Sequence, residues 1–181
     1  PQGTPSAADP FAEDFGIFTE PVLALANTLA ASAAERDRAG GTALAERALL
    51  RRSGLLTLAI PAAHGGQQAA WPLIFRILRR LAQADSSLAH LFGFQHLQVA
   101  SVLLFGSEAQ QARFLGEAVE KRWFWGNAVN ARDTRLQAVR TDDGIEIDGV
   151  KGFCSGAPDS DVLNVSVVLG PEPTDRLFGV V

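Results

Sequence analysis

The feature that most constrains this chain is a change of grammar at Lys121. Before it, apolar and uncharged residues recur at helical spacing, as in Leu88, Leu91, Phe92, Gln95, Val99, Val102 and Leu103. After it, Ile145 and Ile147 alternate with Glu146 and Asp148 between the turn dipeptides Asp143-Gly144 and Asp148-Gly149, and a Val-rich run follows from Asp161 to Leu169. One side-chain period cannot serve both a helix and a half-buried strand. The expected fold class is therefore α+β, with an N-terminal all-helical domain over residues 1–120 and an incomplete antiparallel β domain over residues 121–181.

Punctuation divides the helical part. Pro21 sits in the first turn of a helix that Gly40-Gly41 stops, and Thr42 is the expected N-cap of a second helix ending near Ser53-Gly54. Leu55 to Ile60 reads as a short extended segment, and Trp71-Pro72 opens a third helix running to about Ala84. Ser86 or Ser87 is expected to cap a fourth, which ends at Gly106. Ser107 with Gln110 forms a capping-box pattern for a fifth helix reaching about Glu120. Residues 1 to 20 read as a loose lead-in from which Phe11, Phe15, Ile17 and Phe18 can pack. Leu177 to Val181 is a last strand-like run, and the chain stops inside it, so any site built on this sheet is expected to be half present.

Composition narrows the function classes. A formal charge of -4, with no cluster of Lys and Arg, argues against nucleic acid, and the wholly apolar runs are too short to suggest a membrane span. The N-terminus lacks the order of a signal peptide, so a cytoplasmic location is the default expectation. Cys154 is the single cysteine, and His64, His90 and His96 lack metal-ligand spacing, so no metal is expected. Neither a dinucleotide fingerprint nor a phosphate-binding P-loop occurs.

The richest stretch runs from Trp123 to Gly156. Aromatic bulk, small polar donors and glycines are interleaved there, through Trp123-Phe-Trp125-Gly-Asn127 and on to Phe153-Cys-Ser155-Gly156. A flat ring system with a hydrogen-bonding rim and dry faces needs that mixture, and a flavin fits it best. Each residue also has a plainer reading. A lone histidine such as His90 on an apolar helix is commonly structural, Asn127 can end a strand, and Ser155-Gly156 can be a turn. Trp123, Phe124 and Trp125 read as packing residues, and Cys154 as a small hydrophobe. Arg132 and Asp133 could meet a phosphate or form a loop ion pair, and Glu35, Arg36, Asp37 and Arg38 read as a solvated face.

The order of motifs resembles the acyl-CoA dehydrogenase superfamily. Its markers are Ser53-Gly54-Leu55-Leu56 leading to Ile60-Pro61 and Gly65-Gly66, then Phe105-Gly106-Ser107-Glu108, then Gly149-Val150-Lys151 before Phe153-Cys154-Ser155. Glu35 to Gly41, His90 to Phe94, Gly126-Asn127-Ala128 and Phe153 to Ala157 are similar to the flavin-dependent, dibenzothiophene monooxygenase-like branch. Where dehydrogenases carry Thr-Glu-Pro and Gly-Ser-Asp, this chain has Asn127 to Asp133, which favours FMN over FAD. A tyrosine usual in the branch is Phe94 here.

The resemblance implies a C-terminal helical bundle that is absent here, and an FMNH2-dependent monooxygenase acting on a small substrate, with organosulfur compounds among the candidates. It implies catalytic roles for His90, Asn127 and Ser155, and cofactor contacts from Asn127, Phe153, Ser155 and Phe94. A separate flavin reductase and a homo-oligomer when intact are further expectations, with the fragment alone inactive. The alternatives are an FAD-dependent acyl-CoA dehydrogenase and a non-catalytic helical interaction module.

Overall fold

The computed structural model describes residues 13–172 and 174–181. The expected placement of Phe11 lies outside them. Among the described residues five α-helices come first, α1 (Thr19–Ala39), α2 (Leu44–Arg52), α3 (Trp71–Ala84), α4 (Ser86–Phe105) and α5 (Glu108–Glu120). Five strands follow, β1 (Trp125–Ala128), β2 (Leu136–Thr141), β3 (Gly144–Gly149), β4 (Val162–Val168) and β5 (Arg176–Val180). Helices thus end at Glu120 and strands begin at Trp125, as the change of period requires.

Local chemistry explains most helix ends. Ser107 and Gln110 make a reciprocal capping box at the start of α5. At α4 the expected serine cap is displaced by one residue, since Asp85 accepts the Leu88 N–H and its carboxylate also suits the positive end of the helix. Thr42 does not cap α2 by its side chain. Ala43 occupies that position, and Thr42 offers only its carbonyl to the Leu44 N–H. The segment expected to be extended, Leu55 to Ile60, coils into a 3-10 turn at Leu55–Thr57, because a coiled segment turns Leu55, Leu56, Leu58 and Ile60 all inward where a strand would turn alternate residues out.

The sheet is mixed, which corrects the antiparallel expectation. β4 is its hub, parallel to β1 from Trp125 opposite Val162 to Ala128 opposite Val165, antiparallel to β5, and bridged to β2 in parallel where Gln137 meets Val168. Turn dipeptides fix only the local hairpin of β2 and β3. The excursion from Val129 to Asp161 is long enough to bring the chain back in the same direction, which no local signal encodes. The alternation in β3 does not mark a buried face either, since Ile145 and Ile147 remain 39% and 38% exposed.

α4 is the axis of the helical part. Phe92 and Leu88 join a core with Leu29, Leu50, Ile77 and Phe124, while Val99 and Val102 join a second core with Ile60, Leu115, Trp125 and Val162. By length and composition, the segment Gly16–Ala39 and α4 are both apolar enough to cross a bilayer, but α4 buries three polar side chains, Gln95, His96 and Gln98, against protein. Arg36 is not part of a solvated face as expected. It reaches Asp85, Glu46 and the Leu29 carbonyl, tying α1 to α2 and α4.

His96 is wholly buried, its ring edge-on to Phe92, and among the described residues neither nitrogen has a well-aligned hydrogen-bond partner. Burial lowers its pKa from 6.5 to about 3, and the nearby Leu55 backbone only partly opposes this. The unfolded chain therefore takes up a proton below about pH 6.5 that the folded chain refuses until about pH 3. Stability from neutral His96 should be complete above pH 6.5 and fall as the pH is lowered through that window. His96→Leu should flatten this part of the stability–pH curve, as read by urea unfolding at stepped pH, and an unchanged slope would contradict the assignment.

Candidate functional site

The site forms where the second turn of α4 meets β1 and the loop before β4. His90 projects from α4, and its Nε2 shares a hydrogen bond of 3.0 Å with Ser155 Oγ, in a direction set by the ring tautomer. Phe94, one turn further along, packs its ring 4.6 Å from that of His90. Asn127 lies on β1, where its backbone N–H donates to the Ser155 carbonyl at 2.9 Å. Phe153 stands two residues before Ser155, whose N–H donates to the Phe153 carbonyl. All five residues expected from the sequence are thus linked by direct contacts, although 65 positions separate His90 from Ser155.

Their environments differ. His90 and Phe153 are exposed, Phe94 and Ser155 are half-buried, and Asn127 is buried. Phe153 is 90% exposed and holds φ +58°, a left-handed conformation that a bulky side chain adopts only under constraint. The constraint is visible on both sides. Gly152 N donates to Asp133 Oδ2, and Cys154 Sγ donates to the Lys151 carbonyl. Lys151 itself is pinned by the carbonyls of Asp133 and Ser166, and burial lowers its pKa.

The plainer readings divide. Phe124 and Trp125 are core residues, and Cys154 is half-buried and free. Asp133 pairs with Arg135, not with Arg132. The Arg135 bonds, then the Gly152 N–H, hold its carboxyl well below the usual carboxylate range. Asp133 therefore organises the loop and is not left open to a phosphate.

Sequence reading missed the residues that hold this site together. Arg47 on α2 is buried, with its guanidinium 4.4 Å from the Phe124 ring centre, its Nη2 donating to the Gly156 carbonyl and its Nε 3.1 Å from Asp159. Arg51, one turn on, bridges Asp159 and Asp161, and Asp161 accepts the Phe124 N–H. Gln98 on α4 is buried and donates to Asn127 Oδ1 at 2.8 Å. The available signals were two arginines at i and i+4 facing an Asp-x-Asp, and a glutamine on the inner face of an apolar helix. Gly126 is closely covered, since a Cβ there would lie 2.6 Å from Leu163 and 2.8 Å from Ser160 Oγ and would have to displace them.

A cavity of about 640 Å³ opens beside the site between α1, α2, α3 and the start of α4, touching it through Leu91 and Gly156. Small residues such as Ala33, Gly41, Ala84 and Ser87 line much of it. The arrangement thus presents a hydroxyl–imidazole pair, a buried carboxamide, an exposed and a half-buried phenyl ring, and an adjacent cavity. These are the donors and faces that a flat heteroaromatic cofactor with a polar rim requires.

The fold is that of the acyl-CoA dehydrogenase N-terminal region. The profile of the acyl-CoA dehydrogenase N-terminal domain matches residues 19–122, and the chain belongs to that family. It is 49% identical over 152 residues to the probable FMNH2-dependent monooxygenase SfnC of Pseudomonas putida, covering 82% of this chain and 38% of that protein. The dibenzothiophene monooxygenase TdsC of Paenibacillus sp. A11-2, solved with FMN and indole, superposes with a TM-score of 0.83 at 42% identity, over 90% of this chain and 42% of that one. Methanesulfinate monooxygenase MsuC of Pseudomonas fluorescens superposes at 0.87 and 40% identity, over 92% of this chain and 43% of that one. The chain thus spans about two fifths of the length of these relatives.

The strained Phe153 gives a direct test. Phe153→Gly relieves the left-handed backbone and should stabilise the fold by about 1 kcal/mol in denaturant titration, partly offset by greater freedom of the unfolded chain. If the ring meets a cofactor, the same change should weaken FMN binding. A variant that neither gains stability nor loses flavin affinity would leave the strain without a role.

Proposed function

We propose that the chain forms the N-terminal part of an FMNH2-dependent monooxygenase that oxygenates a small organosulfur compound. In this reading residues 1–120 are its helical domain and residues 121–181 the first part of its middle β domain. The observation that carries the proposal is the convergence of His90, Ser155 and Asn127 at the junction of α4 and β1. Relatives of this chain with 40% to 49% identity bear the names of FMNH2-dependent, dibenzothiophene and methanesulfinate monooxygenases, which supports the same reading.

Bound reduced flavin would supply two electrons to dioxygen, so that one oxygen atom passes to substrate sulfur and the other leaves as water. The chain's own residues have narrower tasks. His90 and Ser155 share one hydrogen bond between Nε2 and Oγ, which aligns a rotatable hydroxyl with an imidazole nitrogen so that a proton can pass along it. Asn127 contributes a fixed amide from a buried position, where a hydrogen bond is worth more than in water. Phe94 and Phe153 offer apolar faces to a flat ring, and the exposed Phe153 would keep water from it only once a bound cofactor covers it. The adjacent cavity, lined by small side chains together with Arg36, Asp37, Arg47 and Asp85, has room for a compact substrate. A separate reductase would deliver the reduced flavin, and the intact protein would be a homo-oligomer.

His90→Ala and Ser155→Ala in the full-length protein test the proposal, since His90 is exposed and the half-buried Ser155 loses only a hydroxyl, so that the melting temperature should stay nearly unchanged. Each should lower the yield of oxygenated sulfur product per reduced flavin consumed and raise hydrogen peroxide in proportion. Loss of one preorganised donor commonly costs about a hundredfold in rate. Anaerobic reduction of the wild-type flavin by an acyl-CoA, with no oxygenation of any organosulfur compound, would replace this reading by the dehydrogenase.

A further inference from the structure

Gln98 sits on the inner face of α4 between two strands, and it is 1% exposed. Its Nε2 donates to Asn127 Oδ1 on β1 at 2.8 Å, and its Oε1 accepts from Asn164 Nδ2 on β4. Three carboxamides therefore form one directional chain, Asn164 to Gln98 to Asn127. Such a chain has two possible senses, since each amide could be turned end for end. The backbone chooses between them. The Val129 N–H also points to Asn127 Oδ1, at 3.4 Å, and the reversed sense would set the Asn127 NH2 against that fixed donor. The two ends of the chain carry the mark of this choice. Among the described residues, Asn164 Oδ1 is buried without a partner and Asn127 Nδ2 donates to nothing.

The amide nitrogen of a buried asparagine at the edge of the candidate site, held with its acceptor end engaged, is a donor that needs no reorganisation when an acceptor arrives. We propose that Gln98 is a positioning residue for the flavin site. It acts through Asn127, fixing that amide with its nitrogen free to donate to the cofactor. The inference rests on the reading above that Asn127 meets the flavin. Gln98 touches neither cofactor nor substrate, and its effect is the orientation of its neighbour. The need for this device follows from the chemistry of asparagine, whose two ends are nearly equal in size. Packing alone does not distinguish them, whereas a donor on one side does.

Gln98→Glu in the full-length protein separates orientation from packing, because it keeps the shape and changes only what the group can donate. As a carboxylate it accepts from Asn164 but no longer donates to Asn127, whose amide should then turn its nitrogen toward α4. FMN affinity, read by quenching of flavin fluorescence, should fall about tenfold relative to wild type at alkaline pH, the equivalent of one hydrogen bond. Lowering the pH toward about 5 should restore it, since a buried carboxyl protonates early and the acid donates again. Gln98→Met, which packs but neither donates nor titrates, should lose affinity without pH-dependent recovery.

Asn127→Ala provides the control. Alone it should weaken FMN binding, and adding Gln98→Met or Gln98→Glu to it should change the affinity less than about twofold. Equal losses in both backgrounds, or no recovery at low pH, would overturn the positioning role while leaving the flavin reading intact. If Asn127→Ala itself binds FMN as the wild type does, Asn127 does not meet the flavin and both statements fall. Should Gln98→Glu not fold, Gln98→Met in the two backgrounds decides the question.

Discussion

Everything functional here depends on how α4 is held against the sheet. Apolar contacts between Val99, Trp125 and Val162 supply area, but such contacts are non-directional and tolerate a slide. The register is set by amides. Gln95 accepts the Trp125 N–H at 2.8 Å and donates to the carbonyls of Leu56 and Trp123, so one side chain engages backbone from three places. Gln98, three residues on, joins Asn127 to Asn164. A shift of α4 by one residue would break these bonds in a buried setting, where each unsatisfied group costs about 1–3 kcal/mol. His90 rides on the same helix, and its distance to Ser155 is inherited from this lock.

The other side of the site is fixed by charge. Arg47 and Arg51 on α2 hold Asp159, Asp161 and the Gly156 carbonyl, and the Phe124 ring lies under both guanidiniums. Burial works against the Arg47 charge and Asp159 offsets it. The loop carrying Ser155 is therefore clamped from α2 while its partner histidine is clamped from α4. Two independent anchors converging on one hydroxyl make a site that keeps its shape without help from the sheet's outer strands, whose residues on β3 face solvent. His96, buried and neutral two residues before Gln98, adds a cost at acid pH to the same helix.

Much of the fold was legible in the sequence because its signals are local. The capping box at Ser107, the glycine stops at Gly40 and Gly106, and the Asp143-Gly144 turn each act within four residues, and each stands where expected. The misreadings came from competition between neighbours. Asp85 took the cap expected of Ser86 or Ser87, since a carboxylate one position earlier reaches the same N–H and carries charge as well. Arg36 looked solvated because its partners Glu46 and Asp85 are distant along the chain.

By itself the sequence determined the order of helix and strand, the family, and the residue types gathered around the candidate site, because period, caps and short motifs are properties of adjacent residues. Only the tertiary structure decided that β1 runs parallel to β4, that His90 meets Ser155, and that Arg47 and Gln98 stand behind them. The physical reason is the same in each case. A buried polar side chain is tolerated only where a specific partner satisfies it, and those partners lie on other elements, so their pairing exists only once the core has brought the elements together.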